Sequence, residues 1–233
     1  MPDINSGRAH LTVAILMCTY NGASFLRAQL DSFEAQSFGA WTLYISDDGS
    51  TDATRDIIAE YRVRWGDDRL ICFEGPQCGF AQNFLSLVRR IEIKADFFAF
   101  SDQDDIWFSD KLSRAVSALH EFDPDAPNLY CSRTRLVDKA GHVIGHSPLF
   151  NKPPSFRNAL VQSIAGANTM LINESARRML TTVSPAADVI AHDWLIYLLV
   201  SGGAGKVFYD ADPTLDYRQH SKNLIGSNFR WRD

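Results

Sequence analysis

Short apolar runs alternate with amphipathic stretches through roughly the first hundred residues of the chain. In the first amphipathic stretch, Leu26, Leu30 and Phe33 recur at a spacing that places them on one face of a helix. The alternation predicts four strands and three helices in a mostly parallel, twisted α/β sheet with right-handed crossovers. Ser50 or Thr51 is positioned to cap the second helix. The apolar runs that predict the strands are residues 11–19, 41–46, 70–73 and 97–100.

The fourth predicted strand runs directly into three carboxylates. Asp102, Asp104 and Asp105 fall within four consecutive residues. Carboxylates at this spacing repel one another, which raises their pKa values unless a cation lies between them. Oxygen ligands suit Mg²⁺ or Mn²⁺, and such an ion commonly bridges one or two carboxylates to substrate phosphates. A solvated acidic turn is the alternative for Asp-x-Asp alone, but a position at the end of a buried strand favours the metal.

Polar side chains also follow the first two predicted strands. After the first, Thr19, Tyr20 and Asn21 could hold a planar base or form a plain turn. After the second, Asp47 or Asp48 could accept a hydrogen bond from an imide N–H or a ribose hydroxyl, as in a pyrimidine nucleotide, or form an Asx turn. Because parallel strands end at the same edge of a sheet, we expect the three polar loops to converge there.

The second half of the chain has a less regular pattern. Its predicted elements are a helix over 112–119, a strand over 129–137, a hairpin turn over 138–142, an irregular loop over 148–154 that could close over a bound ligand, a strand over 169–172, helices over 174–182 and 192–200, and strands over 206–209 and 215–218. No linker or repeat interrupts the chain, so we predict one domain over residues 1–233. It would comprise a nucleotide-binding half at about 11–107 and an acceptor-binding half at about 108–226.

Two motifs in the second half supply candidate catalytic groups. His192 and Asp193 open an apolar helix, and a helix N-terminus stabilises a carboxylate as the anion. Asp193 is therefore the best candidate for a general base, with a simple helix cap as the alternative. Further on, His220 could complete a metal shell, although a lone histidine is more often structural. Its neighbours Arg218 and Lys222 could offset phosphate charge.

Composition argues against several other classes. A formal net charge of -5 does not favour nucleic acid, and no G-x-G-x-x-G or P-loop pattern supports a nicotinamide enzyme or a P-loop ATPase. The four cysteines form no zinc-spaced cluster and predict reduced, mostly buried thiols in a cytoplasmic protein. The N-terminus lacks an apolar signal core, and no apolar segment is long enough to span a bilayer. The tail over 228–233 mixes aromatic residues with arginines, so peripheral contact with the inner face of the cell membrane is an alternative to a frayed tail.

Six short motifs together suggest a family. Those at the predicted strand ends are Cys18-Thr19-Tyr20-Asn21-Gly22, Ser46-Asp47-Asp48-Gly49-Ser50-Thr51-Asp52 and Ser101-Asp102-Gln103-Asp104-Asp105-Ile106-Trp107. They resemble the motifs of family 2 glycosyltransferases, which have the GT-A fold of nucleotide-diphospho-sugar transferases. The other motifs look like the bacterial rhamnosyltransferase-like branch, and they are Gly79-Phe80-Ala81-Gln82-Asn83-Phe84, His192-Asp193-Trp194 and Tyr217-Arg218-Gln219-His220. Their order and spacing match over most of the chain.

The resemblance implies an inverting, metal-dependent hexosyltransferase that makes surface polysaccharide. Its donor would be a nucleotide-diphosphate sugar, with dTDP-L-rhamnose favoured and a UDP-sugar as the alternative, and its acceptor a glycan or a lipid-linked glycan. Its cofactor would be Mn²⁺ or Mg²⁺. In the implied nucleotide-sugar site, Thr19 and Asp48 would contact the base, with Tyr20, Asn21, Asp47 and Asn83 in the same site. Asp102 and Asp105 would contact the donor. Asp104 and His220 would bind the metal, and Asp193 would be the general base.

Two alternatives come from other functional classes. Phosphatases of the haloacid dehalogenase type also place Asp-x-Asp after a strand. In those enzymes the strand is the first one, whereas here the first predicted strand ends in Thr19, Tyr20 and Asn21. A non-catalytic nucleotide-sugar binding module is the second alternative, and it would bind a donor without transferring the sugar.

Overall fold

The computed structural model describes residues 11–220, which form eleven β-strands and seven α-helices. The strands are β1 (Val13–Thr19), β2 (Trp41–Asp47), β3 (Leu70–Glu74), β4 (Phe97–Ser101), β5 (Ile106–Trp107), β6 (Asn128–Ser132), β7 (Arg135–Val137), β8 (Val143–His146), β9 (Leu171–Asn173), β10 (Lys206–Asp210) and β11 (Leu215–Arg218). The helices are α1 (Leu26–Glu34), α2 (Thr54–Trp65), α3 (Phe80–Val88), α4 (Lys111–His120), α5 (Phe156–Ala159), α6 (Glu174–Thr181) and α7 (His192–Gly202). The predicted alternation of strands and helices in the first half is confirmed.

Seven strands form the main sheet in the order β10-β6-β9-β4-β1-β2-β3. Strands β4, β1, β2 and β3 are parallel neighbours, and β9 runs antiparallel between β4 and β6. In this register Met17 lies beside Ser101, and Thr19 lies beside Asp47. The carboxyl ends of β4, β1 and β2 therefore finish at one edge of the sheet, and the three polar loops meet there as predicted.

A smaller sheet, in the order β5-β11-β7-β8, joins the two halves of the chain. Strand β11 pairs antiparallel with β5, with Asp216 opposite Ile106. This pairing brings the residues that follow β11 next to the acidic loop that precedes β5. The small sheet thus positions the Tyr217-to-His220 motif at the same edge as the polar loops.

Both faces of the main sheet are covered by helices, which explains the nearly continuous apolar sequence of β1. Val13, Ile15 and Met17 face a core built with α1, α2 and α4. Ala14 and Leu16 face a second core built with α3, α6 and α7. Within residues 11–220, no helix is long and apolar enough to cross a membrane.

Two predicted elements of the second half are wrong in their bounds, and one helix was not predicted. Residues 129–137 do not form one strand but two, and β6 and β7 belong to different sheets because they pair with β10 and β11. The strand predicted over 169–172 begins at Leu171, because Ala167–Thr169 is a 3₁₀ turn. Helix α5 was not predicted, since four residues are too few to produce a helical period.

The predicted cap of the second helix is also wrong. Helix α2 begins at Thr54, and its N-cap residue Ala53 makes no side-chain cap bond. The hydroxyl of Ser50 instead donates to Asp47 at 2.6 Å. The hydroxyl of Thr51 lies 3.3 Å from the amide oxygen of Asn21, so both candidate caps are used within the loops of the sheet edge.

The four cysteines are free thiols, but the prediction that most are buried is wrong. Cys131 is buried, Cys18 and Cys72 are partly buried, and Cys78 is exposed. Burial raises the pKa of Cys72 to about 11 and also raises that of Cys18. Both thiols therefore stay protonated near neutral pH, which makes them poor nucleophiles.

Candidate active site

A cavity of about 1730 Å³ opens at the edge of the main sheet where the three polar loops meet. Its wall combines these loops with the start of α7 and the residues after β11. The predicted site residues that line it are Thr19, Tyr20, Asn21, Asp48, Asn83, Asp102, Asp104, Asp193 and His220. Groups from both ends of the described chain therefore share one cavity.

Asp47 lies behind the cavity wall, and its carboxylate binds protein groups. It accepts hydrogen bonds from the hydroxyl of Thr19, from Ser50 and from Arg55. Burial raises the pKa of Asp47, but the hydrogen bonds from Ser50, Thr19 and Arg55 outweigh burial and hold this pKa below its usual value. Asp47 is thus an anion that fastens two polar loops together, while its neighbour Asp48 faces the cavity.

Asn21 connects the loop after β1 to the loop after β2. Its φ of 48° lies in the left-handed region, which asparagine adopts more readily than most residues. Its side-chain oxygen accepts from the backbone N–H of Thr51 at 2.8 Å and of Asp52 at 3.3 Å, and its own N–H donates to Ser50 Oγ at 2.9 Å. These bonds hold the backbone next to Tyr20, whose ring is 59% exposed at the cavity.

Gln103 connects the acidic loop to the loop after β1. Its Oε1 accepts from the N–H of Tyr20 at 2.9 Å, and its Nε2 donates to the carbonyl of Tyr20 at 3.0 Å. The amide therefore replaces a strand backbone and continues the pairing of β4 with β1 beyond the strand ends. A Cβ at Gly22 would overlap Gln103 Oε1, so a larger residue there would displace the Gln103 amide from Tyr20.

Asp102 and Asp104 flank Gln103 and face the cavity. Burial, followed by the charges of Asp104 and Asp193, raises the pKa of Asp102 to about 7. The shift indicates three carboxylates that lie close enough to repel one another. A cation among them would remove that repulsion, as it does in sites for divalent metals.

Asp104 and His220 form a direct pair, with Asp104 Oδ2 and His220 Nε2 2.7 Å apart. The ring of Phe25 stacks on His220 with centroids 4.8 Å apart, and the Arg218 side chain donates to the Asp104 carbonyl at 3.1 Å. A carboxylate oxygen beside an imidazole nitrogen fits a Mn²⁺ or Mg²⁺ ion whose remaining ligands are phosphates and water. Among residues 11–220, no group of three or more His, Cys, Asp or Glu is arranged to hold an ion by itself. The donor set therefore fits an ion shared between protein and substrate.

Asp105 lies beneath the cavity and is 0% exposed. The side-chain amide of Asn168 donates to its Oδ2 at 2.6 Å, and the N–H of Arg218 donates to its Oδ1 at 3.3 Å. Burial raises the pKa of Asp105 well above its usual value, and the charges of Asp104 and Asp102 add to this effect. Asp105 thus joins the acidic loop to the 3₁₀ turn and to β11.

Asp193 lies in the first turn of α7, and its Oδ1 accepts from the N–H of Trp194 at 2.8 Å. Burial raises the pKa of Asp193, which makes it a stronger base near neutral pH than an exposed aspartate. The short helix α5 braces this turn from outside. The Trp194 indole donates to the carbonyl of Ala159 at 2.6 Å, and the Ser155 N–H donates to the Tyr197 hydroxyl at 2.9 Å.

Three residues that position the site were not predicted from the sequence, namely Phe25, Gln103 and Asn168. Gln103 had a local signal, because it lies between the two acidic residues of the Asp-x-Asp pattern. Asn168 and Phe25 had none, since Asn168 is 63 residues from its partner Asp105 and Phe25 acts through His220 at the far end of the described chain. Contacts of this range leave no periodic pattern in a sequence.

Comparison with known proteins identifies the family. The sequence profile described as Glycosyl transferase family 2 matches residues 14–169, which include the three polar loops and reach the 3₁₀ turn. The chain belongs to this family. The dTDP-rhamnosyl transferase RfbG of Shigella flexneri is 29% identical over 224 residues, which are 93% of this chain and 75% of RfbG. The glucosyltransferase WfaP of Escherichia coli, described as a UDP-Glc:alpha-D-GlcNAc-diphosphoundecaprenol beta-1,3-glucosyltransferase, is 32% identical over 104 residues, which are 45% of this chain and 39% of WfaP.

Two solved structures share the fold. Staphylococcus aureus TarS 1–349 in complex with UDP-GlcNAc has a TM-score of 0.71 at 17% identity, covering 90% of this chain and 59% of that one. The mannosyltransferase PcManGT of Pyrobaculum calidifontis, in complex with GDP-Man and Mn²⁺, has a TM-score of 0.68 at 18% identity, covering 91% of this chain and 58% of that one. The predicted GT-A fold is therefore confirmed, and the chain spans less than two thirds of either solved protein.

Proposed function

We propose that this family 2 glycosyltransferase moves a sugar, with inversion, from a nucleotide-diphosphate donor to a hydroxyl of a glycan or a lipid-linked glycan in surface polysaccharide synthesis. One observation supports this most strongly: Asp48, Asp104 and Asp193 come from three separate parts of the chain and line one cavity. The three carboxylates suit three tasks, which are recognition of the nucleoside, binding of the diphosphate through a cation, and activation of the acceptor. The proposed nucleotide-binding half supplies the first two, and the proposed acceptor-binding half supplies the third.

The nucleoside would bind beside Asp48 and Asn83. Asn83 is buried, its Nδ2 donates to the carbonyl of Ser46, and its Oδ1 has no hydrogen-bond partner within the described residues. A buried acceptor without a partner costs free energy, so a ligand N–H or hydroxyl would stabilise it. A Cβ at Gly75 would lie 2.6 Å from Asp48 Oδ1 and 3.0 Å from Asn83 Oδ1, so the two acceptors lie side by side. One of the two acceptors suits the imide N–H of a thymine or uracil ring, and the other suits a second donor such as a ribose hydroxyl.

The diphosphate and sugar would bind at the acidic loop. Asp104 and His220 would hold Mn²⁺ or Mg²⁺, which when bound neutralises negative charge on the leaving diphosphate. Asp102 would accept from a hydroxyl of the ribose or of the transferred sugar. Asp105 would act indirectly, because its bonds to Asn168 and Arg218 hold the acidic loop in place. Tyr20 would pack its exposed ring against the base or the ribose.

Asp193 would accept the proton of the attacking hydroxyl. For inversion, the acceptor must approach the anomeric carbon on the face opposite the leaving diphosphate, as water does in inverting glycosidases. The Asp193 carboxylate and the acidic loop line the same cavity, and the transferred sugar would bind between them. The raised pKa of Asp193 suits proton transfer from a hydroxyl, and its bond to the Trp194 N–H keeps one oxygen oriented.

The donor would be dTDP-rhamnose or, as the second choice, a UDP-sugar. The description of RfbG favours dTDP-rhamnose, and that of WfaP provides the UDP alternative. A thermal-shift panel of dTDP-, UDP- and GDP-sugars, each with and without MnCl₂, tests this choice. A metal-dependent shift with one nucleotide identifies the donor class, whereas no shift with any of them contradicts the proposed site.

Transfer itself is measured as nucleotide diphosphate released with and without a panel of glycan acceptors, and the anomeric configuration of the product is read by NMR. Asp193→Asn should lower transfer at least a hundredfold while the donor-induced thermal shift remains. Asp104→Asn should remove the metal-dependent part of that shift. Asp188→Asn and Asp110→Asn are matched controls, because both residues are exposed and should leave transfer unchanged.

The outcomes separate the alternatives. Near-normal transfer by folded Asp193→Asn would refute its role as the base. Donor binding without transfer or donor hydrolysis would indicate a non-catalytic binding module. Phosphate release from simple phosphomonoesters would instead support the phosphatase alternative.

A further inference from the structure

One stretch of the second half differs in charge from the rest of this acidic chain. Of the 28 aspartates and glutamates in the sequence, none falls in residues 139–173. The same stretch contains the cations Lys139, Lys152 and Arg157, and all three are exposed. No ion pair of the described residues involves any of them. The protein surface built by this stretch is therefore positive on a chain of negative net charge.

The same stretch also exposes apolar side chains. Most of the exposed large hydrophobic residues of the second half fall in residues 143–161, which we call the basic apolar segment, and they are Val143, Ile144, Leu149, Phe156, Leu160 and Val161. Leu160 is 59% exposed and Val161 is 72% exposed. Exposed apolar side chains concentrated in one segment are typical of a surface that has a partner.

These side chains are held outward because the inner side of α5 is already packed. Ala159 is 0% exposed, and its carbonyl accepts the indole N–H of Trp194. The ring of Phe156 lies against Gly202, where an added Cβ would come within 2.9 Å of it. A small rearrangement of α5 therefore cannot bury Leu160 or Val161.

The basic apolar segment borders the proposed acceptor side of the cavity. Pro148, Phe150 and Val161 line the same cavity as Asp193. Helix α5 also contacts α7 directly, because the Tyr197 hydroxyl donates to Asn158 Oδ1 at 3.0 Å. A partner that covers the segment would therefore lie next to the opening through which an acceptor reaches Asp193.

We propose that residues 143–161 dock this chain on an anionic membrane surface. Leu160 and Val161 would enter the interface between headgroups and acyl chains, while Lys152 and Arg157 contact lipid phosphates. Short segments that combine exposed apolar side chains with Lys or Arg bind anionic bilayers in this manner. Charge complementarity favours a bilayer as the partner, because an acidic protein can approach a negative surface only through a positive face. The docking does not depend on which donor or acceptor the cavity binds.

Co-sedimentation of the whole chain with vesicles tests this directly. Phosphatidylcholine vesicles are compared with vesicles that contain about 30% phosphatidylglycerol, at low and at high salt. We expect binding to the anionic vesicles and its loss in high salt. The double variant Lys152→Ala with Arg157→Ala should weaken the partition coefficient roughly thirtyfold, since each cation near such a surface contributes about 1 kcal/mol and each 1.4 kcal/mol is tenfold.

The apolar part is tested by Leu160→Ser with Val161→Ser, which should weaken binding at least tenfold. Its matched control is Val63→Ser with Ile91→Ser, because both residues are exposed and lie outside the segment. The control for the cations is Lys94→Ala with Arg178→Ala. Thermal unfolding of every variant should match that of the wild type, since all the substituted side chains are exposed.

Three results would overturn the proposal. One is equal loss of vesicle binding in the control variants. Another is loss of binding only when Phe229 and Trp231 of the tail are replaced by serine. The third concerns the Leu160→Ser with Val161→Ser variant. If its vesicle binding is unchanged but its oligomeric mass, measured by light scattering without lipid, differs from that of the wild type, the segment is a protein interface.

Discussion

His192 provides a quantitative test of the core beneath the proposed active site. Its side chain is 4% exposed, and neither ring nitrogen has a hydrogen-bond partner within the described residues. The ring stacks on Phe84 with centroids 4.1 Å apart, and the rings of Phe80 and Phe100 lie 6.0 Å and 5.8 Å away. A proton on His192 would create a buried charge among aromatic rings, so burial lowers the pKa of His192 to about 3.

The magnitude follows from this pKa. In the unfolded chain His192 titrates near its ordinary value of 6.5 and gains a proton that the folded protein excludes. The contribution of neutral His192 to stability is therefore present above pH 6.5 and is lost as the pH falls from 6.5 towards 3. Linkage predicts that the free energy of unfolding falls by about 2 kcal/mol between pH 7.5 and pH 5. The complete pKa shift corresponds to roughly 5 kcal/mol.

Urea unfolding at pH 7.5 and at pH 5 measures this loss in the wild type and in His192→Phe. Phenylalanine keeps a ring stacked on Phe84 but cannot titrate. We expect the free energy of unfolding to fall by about 2 kcal/mol more in the wild type than in the variant. Any packing cost of the larger ring is the same at both pH values and cancels in the comparison, as does the titration of all other groups.

His120→Phe is the matched control, because His120 is exposed at the end of α4. This variant should keep the full pH dependence of the wild type. If His192→Phe also keeps it, the imidazole is not desolvated in the way the aromatic cage implies, and the reasoning is refuted. His192→Leu repeats the test in case the phenylalanine variant does not fold.

Three further substitutions test the framework around the cavity. Gln103→Glu removes the amide donor that holds the loop after β1, so kcat should fall at least tenfold in a transfer assay. The free energy of unfolding should change by about 1 kcal/mol. Arg177→Met removes a buried guanidinium that donates to three carbonyl groups, one at the last residue of α3 and two in the loop that follows it. The free energy of chemical unfolding should fall by about 3 to 5 kcal/mol. The control Arg178→Met replaces an exposed neighbour and should lower it by less than about 0.5 kcal/mol. Gly205→Ala would place a Cβ against a backbone carbonyl and should lower the free energy of unfolding by at least about 2 kcal/mol. The control Gly39→Ala adds a Cβ that meets nothing within 4 Å and should leave the stability nearly unchanged.

Prediction from the sequence succeeded where the signal is local. The apolar run 97–100 and the carboxylates after it were enough to predict a buried strand with a candidate binding loop at its end. The parallel arrangement followed from the alternation of strands and helices, because parallel neighbours need a crossover connection and a helix usually provides it. The predicted bounds of strands β1, β2 and β4 are consequently nearly correct.

Prediction was less successful where distant pairing decides the structure. Residues 129–137 have one continuous strand-like pattern, yet β6 pairs with β10 and β7 pairs with β11. The chain bends between them because these two partners belong to different sheets, a fact that no window of sequence contains. The same limitation hid the contact between Asp105 and Asn168, which are 63 residues apart.

The sequence by itself determined the family, the fold class and the chemical character of the site, since these depend on residue types and on their order along the chain. Only the tertiary structure decided which member of each acidic pair faces the cavity. Asp48 and Asp104 line it, whereas the adjacent Asp47 and Asp105 turn into the protein and hold loops together. The physical reason is that consecutive side chains at a strand end point to opposite sides, and only the packing of the surrounding loops determines which side is open.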